Sequence, residues 1–284
     1  MSATDRSAVS TSSDRSMRAY YAARAASYDS IYRKPERQAD LRAIEAWLPS
    51  RFSAAELLEV ACGTGYWTRF LVAEARSIIA VDAAVETLII ADRRLREDEV
   101  GRERVRFVVG DAYALPVRSG SFDGAFAGFW FSHVPRARRR AFMAGLCRAL
   151  RPGALVVLLD NRYVAGSSTP IARVDDAGDC WQERPLADGS AQRVLKNFPE
   201  PVELDAAIAG FGTAGTFIQW PYYWAFTFRT LAVADRDLSS SPSMEHLPSA
   251  AAATAEGNAA PGKSATGKAV TEKAAGSGDP RQPE

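Results

Sequence analysis

The stretch Leu57-Leu58-Glu59-Val60-Ala61-Cys62-Gly63-Thr64-Gly65-Tyr66-Trp67 runs an apolar segment into a pair of glycines. Gly63 and Gly65 allow a sharp turn and a close approach of a ligand to the backbone. A helix starting just after them aims free N–H groups, and the positive end of its dipole, at that ligand. Asp82 closes a second apolar run and Asp111 a third. An acid such as Asp82 can accept hydrogen bonds from two ribose hydroxyls, and Asp111 then falls beside a base attached to that ribose. Each feature has an ordinary reading when taken singly. Many loops hold two glycines, Asp82 stands where a helix N-cap belongs, and Asp111 follows Gly110 as a turn residue would. At three consecutive strand ends they point together to a nucleoside site. A fourth strand end supplies Phe129, Trp130, Phe131 and His133. An imidazole titrates near neutrality, so His133 can serve as a general base. The run Ser132-His133-Val134-Pro135 reads equally as a helix lead-in, which leaves a structural or substrate-orienting role open.

These residues need a parallel sheet to bring them together, and the hydrophobic pattern supplies one. Strands are expected at 56–61, 77–82, 105–110, 122–128 and 154–160, with helices at 66–75, 84–96 and 136–150 between them. Such alternation gives right-handed βαβ units, with ligands beyond the carboxyl ends of the strands. Pro152-Gly153 is expected to break the last of these helices. Two helices precede the first strand. One starts at Met17, carries Tyr20, Tyr21, Tyr28 and Tyr32, and ends near Tyr28-Asp29. The other repeats Leu41, Ile44, Trp47 and Leu48 at helical spacing. After Asp160 the pattern changes. Turn signals at Asp176-Ala177-Gly178-Asp179 and Asp188-Gly189-Ser190 predict a small antiparallel insertion over about 161–199. A helix at 201–209 and an aromatic hairpin, 216–220 with 222–229, close the sequence pattern. Asp160-Asn161-Arg162-Tyr163 and Tyr222-Tyr223-Trp224 are candidates for an acceptor pocket, and the Arg136, Arg138, Arg139, Arg140 run reads as the wet face of a helix.

The chain has 284 residues, 47% of them hydrophobic, and a net charge of +1. That suffices for one ordinary domain over residues 17–232. Residues 1–16 and the Ala-, Ser-, Gly- and Pro-rich stretch 233–284 are expected to be disordered. The near-neutral balance gives no electrostatic case for nucleic acid or an anionic membrane, and no apolar run is long enough to span one. Residues 1–16 lack the apolar core of a signal peptide. Cys62, Cys147 and Cys180 form no CxxC pair, which argues against a disulfide framework or a metal site and for a cytoplasmic location.

A dinucleotide fingerprint would need a third glycine where Thr68 stands, and Tyr66 and Trp67 crowd that turn. Instead, the runs LLEVACGTGYW, IIAVDAA, VVGDAYALP, FDGAFAGF and LRPGALVVLLD resemble the successive motifs of class I S-adenosylmethionine-dependent methyltransferases. The resemblance covers about residues 17–232. It implies a Rossmann-like seven-stranded, mostly parallel sheet with a reversed last strand, an N-terminal helical cap and S-adenosyl-L-methionine as cofactor. By that likeness Glu59, Gly63 and Gly65 line the methionine part, Asp82 holds the ribose, Asp111 and Ala112 flank the adenine, and Phe129 lies beside the cofactor. Tyr28, in the cap, would touch it. Ala61 departs from the pattern, since many relatives have glycine there. The implied reaction is in-line methyl transfer to a small-molecule acceptor, with aromatic faces such as those of Phe129, Trp130 and Phe131 near the sulfonium. A cofactor-binding but inert regulatory subunit, and a nicotinamide oxidoreductase, are the competing readings.

Overall fold

The computed structural model describes residues 19–99, 101–186 and 189–232. The two segments expected to be disordered, 1–16 and 233–284, lie outside them, as does Asp188 of the second insertion turn.

The sheet is built outward from β1 (Glu56–Val60). Leu57, Leu58 and Val60 are fully buried, as befits a strand covered on both faces. β2 (Ser77–Asp82) and β4 (Phe122–Gly128) flank it in parallel register. β3 (Val105–Val109) lies outside β2, and β5 (Leu150–Asn161) lies outside β4. The hairpin of β9 (Gly212–Gln219) and β10 (Tyr223–Thr230) adds to β5 through β10, which runs antiparallel. The order is therefore β3-β2-β1-β4-β5-β10-β9, with the reversed last strand inside the sheet and not at its edge. The chain winds one way from β1 to β3 and then crosses to β4, so the switch point falls between β1 and β4.

Helices cover both faces. On one, α2 (Gln38–Trp47), α3 (Thr68–Glu74) and α4 (Val85–Glu97) contribute Leu41, Ile44, Leu71 and Leu88 to one buried cluster. On the other, α5 (Arg139–Ala149) and α6 (Pro201–Ile208) contribute Phe142, Leu146 and Leu204 to a second. The insertion forms its own three-stranded antiparallel sheet of β6 (Arg173–Val174), β7 (Cys180–Pro185) and β8 (Ala191–Leu195). Its first turn is tied by Asp175, whose carboxylate accepts the backbone N–H groups of Ala177 and Asp179 and the indole N–H of Trp181. Among the described residues no helix is long and apolar enough to cross a membrane.

Three local expectations change. The helix expected to run to Leu150 stops at Ala149, and β5 begins at once. Leu150 already pairs with Phe122, while Leu155 pairs with Gly124, so Pro152-Gly153 makes an irregularity within the strand instead of a break before it. The first helix, α1 (19–24), does not end at Tyr28-Asp29 but tightens into a 3-10 segment, Ala25–Arg33. The arginine run is wet only in part: Arg136 is exposed, whereas the others pack against neighbours. Arg139 is buried, pairs with Glu203 of α6 at 3.2 Å and lies over the Phe131 ring. Arg138 and Arg140 lie over the rings of Tyr113 and Phe211.

Candidate functional site

Two neighbouring groups of residues meet at the carboxyl ends of the strands. The first is the glycine corner after β1. Gly63 and Gly65 adopt φ of +56° and +73°, which a side chain would strain. At Gly65 a Cβ would also lie 2.9 Å from the Ala91 methyl, so this glycine lets α4 press against the turn. Ala61 has φ +56°, which explains physically why glycine suits that position and why alanine strains it. Asp82 ends β2 and reaches back to the corner. Its Oδ2 accepts the Gly63 N–H at 2.8 Å and its Oδ1 the Ala84 N–H at 2.9 Å. Thr87 Oγ1 stands 3.1 Å from Oδ1 but is closer, at 2.7 Å, to the Ala84 carbonyl oxygen. Each carboxylate oxygen thus accepts one backbone N–H, and the Thr87 hydroxyl competes for the second lone pair of Oδ1.

Asp111 follows β3, accepts the Tyr113 N–H at 2.9 Å through one oxygen, and is half-buried, with Ala112 buried behind it. Glu59 sits differently. It is 1% exposed and accepts the Thr68 hydroxyl at 2.7 Å. Burial pushes its carboxyl up to about 8. Thr68, at the place of the missing third glycine, is thus the partner of this buried acid.

The second group lines a cleft of about 330 Å³ between the cap, the ends of β4 and β5, and the insertion. Phe129 joins the two groups. It follows β4 in a left-handed conformation, φ +57°, fixed by its N–H donating to the Leu159 carbonyl at 2.7 Å. Its ring packs against Trp67 beside the glycine corner and against Tyr32 and Tyr223 in the cleft. Tyr28 bridges from the cap, since a Cβ at Gly63 would lie 4.0 Å from its ring. Of the other two aromatic candidates, Phe131 is fully buried in the core, and Trp130 packs on Tyr113 and Phe142.

His133 forms part of the cleft wall, with both ring nitrogens engaged. Nδ1 lies 2.5 Å from the Leu195 carbonyl oxygen and Nε2 lies 2.9 Å from the Tyr21 hydroxyl. A carbonyl only accepts, so Nδ1 carries the proton and Nε2 accepts from Tyr21. Burial and the charges of Lys196 and Arg184 push the imidazole well below its ordinary pKa. Beneath lies a buried ion pair, Lys196 Nζ to Asp160 Oδ1 at 2.7 Å, with Lys196 also donating to Ser132 Oγ at 2.6 Å. Burial alone would raise the Asp160 carboxyl, yet Lys196, His133 and the Ser132 bond hold it below its ordinary range. Of the polar run after β5, only Asn161 lines the cleft. Arg162 binds the carbonyls of Trp220 and Pro221, and Tyr163 packs on Phe198.

Comparison with known proteins bears on the fold and the family. Residues 57–153 match a family model described as a methyltransferase domain. The structure of the DhpI–SAH complex superposes with a TM-score of 0.62 at 28% identity, over 76% of this chain and 96% of that one. The stretch from β1 into β5, residues 57–153, thus carries the sequence of a methyltransferase domain. Among curated proteins, the demethylmenaquinone methyltransferase of Lactococcus lactis subsp. lactis is 31% identical over 110 residues, 38% of this chain and 42% of that protein. The malonyl-[acyl-carrier protein] O-methyltransferase of Serratia marcescens is 29% identical over 131 residues, 45% of this chain and 44% of its own. The chain thus spans less than half the length of these two relatives.

The methyltransferase domain's corner fits its cofactor by donor chemistry. Asp82 keeps acceptor capacity on Oδ2, Asp111 keeps one oxygen clear of its Tyr113 bond, and the backbone at Gly63 has no side chain in the way. What sequence reasoning missed lies in the cleft: Tyr21, Arg24, Lys34, Arg37, Arg184 and Lys196. They come from four separate stretches of chain, and no spacing joins them. The one local hint was the change of pattern after Asp160, which marked an insertion but not what it carries.

Proposed function

We propose that this chain transfers the methyl group of S-adenosylmethionine to a small-molecule acceptor held in the cleft under the cap. The observation that carries this reading is Phe129, whose ring packs on Trp67 beside the glycine corner and also lines the cleft, which supports a donor and an acceptor on either side of one residue. When bound, the cofactor supplies an electrophilic methyl on a sulfonium, open to in-line displacement.

The residues divide the remaining work. Asp82 accepts the ribose hydroxyls, and Asp111 with Ala112 takes the adenine. Gly63 and Gly65 leave room for the methionine part. Tyr28, Tyr32, Phe129 and Tyr223 exclude water and offer ring faces to a sulfonium. Glu59, buried against Thr68, supports the corner from beneath. His133 holds the Tyr21 hydroxyl in the cleft. With one nitrogen donating to Leu195 and the other accepting from Tyr21, it serves as an orienting group in preference to a free general base.

Calorimetry of the full chain with S-adenosylhomocysteine, and separately with NAD, tests the cofactor. Saturable heat with the first and none with the second is expected; the reverse would turn the reading to an oxidoreductase. Incubation with labelled S-adenosylmethionine and a fractionated small-molecule extract tests transfer. Tight cofactor binding with no label in any fraction would favour the inert subunit.

A further inference from the structure

The cleft lining is one-sided in charge. Arg24, Lys34, Arg37, Arg184 and Lys196 contribute to its wall, and no aspartate or glutamate does. Lys196 is neutralised by Asp160. Among the described residues, none of the other four touches a carboxylate directly; Glu36 reaches Arg37 and Lys34 only by way of Ser167, from whose hydroxyl it accepts. Arg37 is only 5% exposed, yet its guanidinium bonds to neutral groups, the oxygens of Ser167 and Asn161 and the Tyr223 hydroxyl. Arg184 donates to the Gln182 amide oxygen at 2.8 Å, Arg24 to the Tyr20 hydroxyl, and Lys34 to the Ser167 carbonyl. The whole chain carries a net charge of only +1, so this is a local concentration and not a general basic surface. Arg37 is the buried one of the four, and the other three are half-exposed around it; a buried cation with no carboxylate in contact weakens a fold unless a ligand supplies the counter-charge. The methionine carboxylate of the donor can neutralise one such charge. A neutral acceptor would leave the others unpaired.

We propose that the acceptor is a small molecule bearing an oxyanion, of the carboxylate, phosphonate or phosphate class, held by Arg37 and Arg184. The forked guanidinium donors match such oxygens in pairs. The negative oxygen is also a ready nucleophile. Its lone pair forms the new O–CH3 bond as the C–S bond breaks, the electron pair leaves with sulfur, and no proton is released. That balance suits a cleft whose imidazole is committed to Leu195 and Tyr21.

This inference rests on the methyltransferase reading, so the experiment reads the two apart. The full chain is first titrated with S-adenosylhomocysteine; failure there sinks the parent reading. The loaded chain is then titrated with acetate, methylphosphonate, inorganic phosphate and, as a neutral control, acetamide. Saturable binding of at least one anion, with none of acetamide, is expected, and the preferred anion identifies the class. Arg184→Gln should weaken that binding about tenfold to a hundredfold while leaving S-adenosylhomocysteine affinity within about twofold. Arg184→Lys should restore part of it, and Arg37→Gln serves as an independent second variant. Normal cofactor binding with no anion bound, or anion binding indifferent to both glutamine variants, would overturn the proposal. So would a methylated product whose acceptor is uncharged.

Discussion

The glycine corner and the cleft beside it are opposite in charge and in construction. The corner gathers acids, Glu59, Asp82 and Asp111, from the ends of three adjacent strands. The cleft gathers cations from the cap and the insertion, elements far apart in sequence. Neighbouring parallel strands bring their ends together by topology alone, so the corner follows once the sheet forms. The cleft exists only after the cap and the insertion have docked onto that sheet. The first arrangement suits a constant ligand, and the second a variable one.

This contrast can be broken by experiment. The largest effect should come from the ion pair that ties the insertion to the strand ends. Lys196→Met leaves Asp160 buried without its partner and should cost about 3–5 kcal/mol in urea unfolding. Adding Asp160→Asn should recover much of that loss, and an additive double variant would refute the pairing. On the acidic side, Asp82→Ala should weaken S-adenosylhomocysteine binding by about a hundredfold in calorimetry, because it removes a charged acceptor of two hydrogen bonds. Asp111→Ala, which loses one, should cost about tenfold. Equal losses would erase the distinction drawn between ribose and base.

The pH dependence sharpens the picture further. Glu59 in the folded chain is raised from 4.5 to about 8, so it keeps its proton in the fold where the unfolded chain has already lost it. Its contribution to stability is therefore full below pH 4.5 and declines as pH rises through 8. Glu59→Gln should flatten the stability profile across that window and raise the melting temperature at its upper end. An unchanged profile would show that Glu59 is not buried as a neutral acid. The smallest effect concerns the turn itself. Ala61→Gly relieves a left-handed alanine and should stabilise the chain by about 0.5–1 kcal/mol, after the entropy cost of glycine is deducted.

The same contrast explains what could be read from the sequence. Strand ends and the glycine corner were legible because each is local: an apolar run, a turn residue, an acid. Asp82 could be placed at the end of its own apolar run, and the glycine pair and Asp111 at the neighbouring strand ends gave it its role. Arg37 could not, because its role depends on Ser167 and Asn161, more than a hundred residues away. His133 was conspicuous as the one histidine among the described residues, but its tautomer is set by Leu195 across the insertion. Arg139 misled for a related reason. A cationic run on a helix looks solvated until a partner such as Glu203 arrives from another element. Trp130 and Phe131 shared a motif with Phe129, yet the backbone reverses there, and only one of the three rings reaches the cleft.

Tyr28 carries a final consequence. One phenol ring covers the bend at Gly63 and also forms part of the neighbouring chamber. Any swing of that ring which admits the first guest reshapes the room of the second. The affinities of the two guests are therefore linked, and by reciprocity each must change the other's by the same factor, whichever comes first.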